Sequence, residues 1–361
     1  MSDAPLMKVE HIRQEFAVKD GTLRAVDDVT LTIDRGETVG LVGESGCGKS
    51  TLARTVLRLI EPTQGTIALE GRDITKVPQR ELRAIRHRMQ MVFQDPYGSL
   101  NPRRRIGAIV GDALDLRGVP KSEQRTQVIA ALERVGLGID HLHRWPHELS
   151  GGQRQRVGVA RALAASPDLL IADEPVSALD VSVQAQLVNL LVDLQRDLGL
   201  AQLFVAHDLS VVRQVADRIA VMYLGRIVES GPTDVVFARA RHPYTRALLA
   251  AVPIADPSRR GRQREAIRGE LPSPIDPPPG CHFHPRCPHA TDVCMTEQPA
   301  LWHYADGGRA ACHHPYGVSA ADVAAASRDD LASPAAAGMS APDPSTADLA
   351  DAGETPAGAQ A

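Results

Sequence analysis

At 361 residues the chain exceeds one ordinary domain, and 43% hydrophobic against 23% charged residues is a water-soluble, globular composition. The longest apolar run, Ala247 to Ala255, is about half what a bilayer span needs, and no basic-then-apolar leader opens the chain, so neither membrane spanning nor secretion is expected. A formal net charge of -4 and 3% aromatic residues argue against a nucleic-acid-binding surface, and no nucleic-acid partner is expected.

Residues 1 to about 250 alternate strand-like and helical patterns, the rhythm of an α/β domain. Thr38–Val42 is a short apolar run typical of a buried parallel strand, and Lys49–Ile60 follows it with helical spacing. Met89–Phe93 predicts the next strand. Between Phe93 and the strand predicted at Asp168–Ala172 the chain is mostly helical, including Ser122–Val135, where Val128, Ala131, Leu132 and Val135 share one face. This stretch predicts a helical subdomain at about 95–165, inserted into the α/β core. A further strand is expected at Gln202–Ala206, and further helices at Val181–Leu198 and Leu209–Ala216.

The first domain is placed at 1–252. Seven prolines and several arginines predict an irregular linker over 253–280. Four cysteines, several histidines and four more prolines mark 281–316 as a separate cysteine-rich region. Beyond it, Ala, Ser, Pro, Asp and Gly dominate, and seven acids against one arginine predict a disordered acidic tail over 317–361. That tail accounts for the negative balance, since its net -6 leaves +2 for the rest.

Gly43-Glu-Ser-Gly-Cys-Gly-Lys49-Ser50-Thr51 fits G-x-x-x-x-G-K-[S/T], between a predicted strand and a predicted helix. Gly43, Gly46 and Gly48, with Ser45 and Cys47 between them, let consecutive N–H groups face one phosphate, towards which the following helix points its positive end. Lys49 reaches the β- and γ-phosphates, and the Ser50 hydroxyl is a Mg²⁺ ligand beside Thr51. Leu169-Leu-Ile-Ala-Asp173-Glu174 is an apolar strand ending in two acids, with Asp173 suited to Mg²⁺ and Glu174 to polarising water as a general base. A glycine turn with a solvated lysine, and two solvated acids, are the bland alternatives; the flanking strand and helix favour the phosphate site.

Leu149-Ser150-Gly151-Gly152-Gln153 resembles the signature motif of ATP-binding cassette (ABC) ATPases. Gln94, within Val92-Phe-Gln-Asp-Pro-Tyr-Gly-Ser-Leu-Asn-Pro102, is similar to the family's Q-loop. Ser177-Ala-Leu-Asp180 resembles its D-loop, and His207 after an apolar strand resembles its switch histidine. The set follows the family's order over about 230 residues. The resemblance implies a P-loop NTPase of ABC type, with a mixed-sheet core and an inserted helical subdomain. It also implies a dimer in which Ser150, Gly151, Gly152 and Gln153 of one subunit bind the γ-phosphate of the ATP held by the other. His207 would contact the γ-phosphate, Gln94 would touch Mg²⁺ or the attacking water, and Asp180 would belong to the nucleotide-binding set. Phe16 stands where related proteins stack an aromatic on adenine, with a core phenylalanine as the alternative. Val176 replaces the Thr of many relatives, outside the phosphate contacts.

Cys281, Cys287, Cys294 and Cys312 give C-x5-C-x6-C-x17-C, a ligand set more than a disulfide framework. The spacing leaves an iron–sulfur cluster, zinc and free thiols open, although zinc usually uses a C-x2-C chelate that is absent. Gly269-Glu-Leu-Pro-Ser-Pro and Gly280-Cys-His-Phe-His-Pro-Arg-Cys287 are similar to the C-terminal region of oligopeptide/dipeptide importer ATPases, F-type subunits above all. Arg241-His-Pro-Tyr-Thr245 belongs to the same likeness. It implies a [4Fe-4S] cluster on the four cysteines and a peripheral place at the cytoplasmic face of the inner membrane. The implied partners are two transmembrane permease subunits, a second ABC ATPase and an extracytoplasmic solute-binding protein. A soluble ABC ATPase acting on DNA or ribosomes, and a redox- or iron-sensing ATPase, are the rival readings.

Overall fold

The computed structural model describes residues 4–252 and 269–328. Residues 253–268 of the linker expected at 253–280, and residues 329–361 of the tail expected at 317–361, lie outside the described residues.

An antiparallel hairpin of two long strands, β1 (Met7–Val18) and β2 (Gly21–Ile33), opens the fold. β3 (Thr38–Val42) enters the core and leads through the glycine loop into α1 (Lys49–Val56). The chain returns as β4 (Gln64–Leu69) and β5 (Arg72–Asp73), completing a four-stranded sheet in the order β2-β1-β4-β5. α2 (Gln79–Ile85) precedes β6 (Met89–Val92), after which α3 (Ile106–Leu116), α4 (Lys121–Arg134) and α5 (Gly151–Ala164) pack on one another as the inserted helical unit. The α/β alternation resumes with β7 (Leu169–Asp173), α6 (Val181–Leu198), β8 (Ala201–Ala206) and α7 (Leu209–Val215). A hairpin of β9 (Arg218–Tyr223) and β10 (Arg226–Pro232) follows, then α8 (Thr233–Ala238) and α9 (Pro243–Ala251). The C-terminal region contributes α10 (Asp292–Thr296), β11 (Trp302–His303), β12 (Arg309–Ala310), α11 (Ala320–Ala325) and β13 (Ser327–Arg328).

The main sheet has the order β13-β11-β12-β10-β9-β3-β8-β7-β6. Strands β9, β3, β8, β7 and β6 run parallel, with β6 at the edge, and β10 to β13 add antiparallel neighbours, giving the mixed sheet expected. Both faces are covered, which explains why the parallel strands are continuously apolar. On β7, Leu169 and Ile171 join the core beneath the antiparallel sheet and α1, while Leu170 and Ala172 join the core beneath the helices. Gly40 on β3 lets α7 approach, because a Cβ there would run into Val212.

Two sequence expectations change. The helix expected over Lys49–Ile60 stops at Val56, where Arg58 turns left-handed (φ 53°) and its buried guanidinium donates to the carbonyl of Ile74 at 3.0 Å. The disorder expected from residue 317 does not begin there, since α11 and β13 fall beyond that point. Ser319 caps α11 by accepting the N–H of Asp322 at 3.2 Å, the Asp322 carboxylate accepts the N–H of Ser319 at 2.9 Å, and β13 pairs with Trp302–His303. No helix among the described residues is long and apolar enough to cross a membrane.

Candidate nucleotide site and cysteine cavity

The glycine loop wraps the space ahead of α1. Gly48 has φ 107°, and a Cβ there would collide with the carbonyl of Ala25, so only glycine fits. Lys49 is buried and donates to the carbonyls of Gly43 at 2.8 Å and Glu44 at 2.9 Å, drawing the loop closed around its ammonium. Cys47 turns its side chain into the core, away from the pocket, and burial pushes its thiol up.

The acids meet this loop across the sheet. Ser50 donates to an Asp173 carboxylate oxygen at 2.8 Å. Burial pushes the Asp173 carboxyl up; the Ser50 bond and Arg54 oppose this, Glu174 reinforces it and Lys49 opposes it. Glu174, just past β7, lies 4.0 Å from the Lys49 ammonium, accepts from Gln94 Nε2 at 2.9 Å and stands 3.6 Å from His207 Nδ1. Its backbone is left-handed (φ 45°), a conformation costing a non-glycine residue about 1–3 kcal/mol. Its N–H donates to the Val205 carbonyl at 2.9 Å, and its own carbonyl accepts the Ser177 hydroxyl at 3.0 Å; these bonds hold the strained backbone in place.

One pocket gathers Phe16, Leu23, Ala25, Ser45, Gly46, Gly48, Lys49, Ser50, Thr51, Gln94, Glu174 and Pro274. Phe16, paired across the hairpin with Leu23, belongs to neither large apolar core and walls this pocket instead. Ser150, Gly151, Gly152, Gln153, Asp180 and His207 do not line it. Ser150 caps α5 with a reciprocal Gln153 bond (3.3 and 3.1 Å), and Gly152 lets the start of α6 pack close, since a Cβ there would strike Val183. Asp180 and Val181 begin α6 on the surface, Val181 being 84% exposed.

The Gln94 segment is tied to α5. Gln155 donates to the Phe93 carbonyl at 3.2 Å, Arg161 to the Ser99 carbonyl at 2.7 Å, and Arg154 stacks 4.0 Å from the Tyr97 ring. A shift of Gln94 is therefore mechanically shared with the helix that carries the signature.

Cys281, Cys287, Cys294 and Cys312 line a second, small cavity with Phe283, Pro243 and several histidines, and none is in a disulfide. Burial pushes the Cys281 thiol up to about 12, the Cys287 thiol up to about 11 and the Cys312 thiol well up. The N–H of His314 donates to Cys312 Sγ at 3.4 Å, and the Thr291 hydroxyl lies 3.6 Å from Cys294 Sγ. Among the described residues no three or more His, Cys, Asp or Glu side chains are arranged around a single metal ion.

Sequence reasoning left the link between the two sites unread. The Glu229 carboxylate, buried on β10 and pushed up to about 7 by burial, accepts the N–H groups of Arg241 (2.6 Å) and His242 (2.9 Å), which anchors the Arg241–Thr245 motif at the head of α9. Tyr244 from that motif accepts the Glu44 N–H at 2.9 Å and packs against Tyr223 and Phe283. Arg286, beside Cys287, donates to both Glu44 carboxylate oxygens at 3.1 and 3.0 Å. Partners about 200 positions apart or more leave no local pattern, so only the unexplained Arg-His-Pro-Tyr-Thr string signalled them.

Residues 26–177 match the ABC transporter family, and 228–294 match the oligopeptide/dipeptide transporter C-terminal region. A probable peptide ABC transporter ATP-binding protein of Sinorhizobium fredii is 51% identical, over 92% of this chain and 96% of its own length. The dipeptide transport ATP-binding protein DppF of Haemophilus influenzae is 46% identical, over 86% of this chain and 97% of its own. Among solved structures, the dimeric ATP-binding cassette MJ0796, described as a post-hydrolysis state bound to ADP and Pi, superposes with a TM-score of 0.58 at 29% identity, covering 63% of this chain and 98% of that one. The P-loop geometry and these likenesses agree: the chain belongs to the ABC transporter ATPases and carries the C-terminal region of their oligopeptide/dipeptide branch.

Proposed function

We propose that this ATPase powers import of di- or oligopeptides, as one of two cassettes attached to a pair of transmembrane permeases at the cytoplasmic face of the membrane. An extracytoplasmic binding protein delivers the solute. The observation that carries the reading is a division of residues. Lys49, Ser50, Gln94 and Glu174 share one pocket, with the Ser50 hydroxyl donating to Asp173 behind it, while Ser150–Gln153 and Asp180 do not line it. A second cassette facing the pocket supplies the missing phosphate donors.

In that assembly Lys49 leaves its loop carbonyls for the β- and γ-phosphates, and Ser50, Asp173 and Gln94 would hold Mg²⁺, which would neutralise phosphate charge. Glu174, held by Gln94 and near His207, takes a proton from the attacking water. Residues 94–102 meet the permeases, and the bonds from α5 to residues 93–99 couple nucleotide-dependent motion of Gln94 to the helix that begins with Gly151–Gln153. The test is uptake by proteoliposomes that contain the chain, its second cassette and both permeases. Labelled di- and oligopeptides should enter only with ATP and binding protein present; uptake that continues without this chain overturns the reading.

We infer further that the four cysteines hold an iron–sulfur cluster. Four thiols, one receiving an N–H bond at sulfur, line one small cavity, and burial disfavours the thiolates of Cys281, Cys287 and Cys312 unless cations compensate. Zinc would draw its four sulfurs to roughly 3.8 Å of each other, given Zn–S bonds of about 2.3 Å, and it usually relies on a close C-x2-C pair to do so. An iron–sulfur cluster needs four cysteines but tolerates varied spacing, which the C-x5-C-x6-C-x17-C set satisfies. Such a cluster, when bound, cross-links residues 281–312 as a structural clasp. Protein purified without oxygen should be brown, with broad visible absorption and about four irons per chain. A colourless preparation with one zinc per chain would reverse the assignment.

A further inference from the structure

The described part of the expected linker, residues 269–280, is laid along the nucleotide pocket. Arg286, already bonded to Glu44, also donates to the Gly269 carbonyl at 3.0 Å. Leu271 stands over Gly46 of the phosphate loop, its Cδ2 4.0 Å from where a Cβ on that glycine would lie. The Pro274 carbonyl accepts the N–H of Arg24 on β2 at 3.0 Å, and Ile275 sits against Gly21 at the hairpin turn. The strand hairpin, the phosphate loop and Arg286 thus each hold the segment.

The pocket itself has two ends. Lys49, Ser50, Thr51, Gln94 and Glu174 make a polar end suited to the phosphates; Phe16, Leu23, Ala25 and Pro274 make an apolar end. A nucleoside triphosphate placed with its phosphates on the loop puts its ribose and base at the apolar end. We propose that Pro274 is a nucleotide-contacting residue, walling the base and ribose subsite together with Phe16, so that the C-terminal region completes the ATP site. The proposal rests on the reading of Gly43–Thr51 as the phosphate loop. Proline is well suited to such a wall, because its ring is apolar and rigid and its missing N–H leaves no donor to satisfy against the base.

Titration of the full-length chain with Mg²⁺ and either ATP or inorganic tripolyphosphate separates the two ends. Pro274→Gly should weaken ATP about fivefold, the factor expected from a few tens of Å² of lost apolar contact, and leave tripolyphosphate unchanged. Phe16→Ala should show the same split. Pro274→Ala, which disturbs the backbone least, should weaken ATP alone by a smaller factor. Should both proline variants bind ATP within twofold of the parent chain, or lose the two ligands in parallel, Pro274 is no wall of the base subsite. Lys49→Ala keeps the two questions apart. Loss of both ligands in that variant upholds the phosphate loop whatever Pro274 does, whereas unchanged tripolyphosphate binding removes the loop reading itself.

Discussion

Replacing Lys49 with alanine is expected to reduce ATP affinity by at least about 100-fold, close to 3 kcal/mol, and to abolish ATP-driven uptake. The size follows from position. This lysine is 4% exposed, and its ammonium is already held among loop carbonyls that a triphosphate would replace. A charge so enclosed acts through a lower effective dielectric than a surface lysine, so its loss is felt in full. Removing it also leaves the carbonyls of Gly43 and Glu44 without their donor, so the loop loses its closing contact as well as its charge. Lys49→Arg does not rescue, because the broader guanidinium cannot occupy a site that takes a single nitrogen. Titration calorimetry with ATP and Mg²⁺ measures the effect; affinity within tenfold of the parent chain would show that the loop does not hold the phosphates.

Glu174→Gln is expected to do the opposite to binding while lowering turnover by about 10²–10⁴-fold, the usual contribution of a general base. The amide keeps the shape of the carboxylate, and its oxygen still accepts from Gln94. What disappears is the proton acceptor and one negative charge that stood 4.0 Å from Lys49. Removing that charge eases repulsion against a γ-phosphate, so the ATP-bound, paired state accumulates. Sizing chromatography with ATP should show the closed pair, and single-turnover kinetics should show slow cleavage. Parent-like turnover would transfer the base role away from Glu174.

How much of this was legible depends on the distance over which each signal operates. β3 and α6 carry the bounds read from sequence, because continuous apolar runs and 3.6-residue spacing are local patterns. β1 and β2 escaped, since their pairing shifts register between Val9 and Ile12 and again beyond Ile12, and His11 and Asp28 take left-handed conformations. Those bulges break the strict alternation by which strands are recognised. β11, β12 and β13 are two residues each, too short for any periodicity. The site divides in the same way. The phosphate loop is contiguous and was readable, whereas Tyr244, Arg286 and Pro274 reach it from positions whose relation to Gly43–Thr51 exists only after folding.

The pairing of β12 with β10 bears on how such proteins are remodelled. Glu229 faces Ala310 and Ser230 faces Arg309, and the N–H of Ala311 reaches the Val228 carbonyl at 2.8 Å. The C-terminal region is therefore woven into the border of the catalytic sheet, not hung from it. Exchanging this region between cassettes would require a donor that carries a matching border strand. A shortened chain ending after α9 would leave a row of unsatisfied amides and carbonyls open to another molecule.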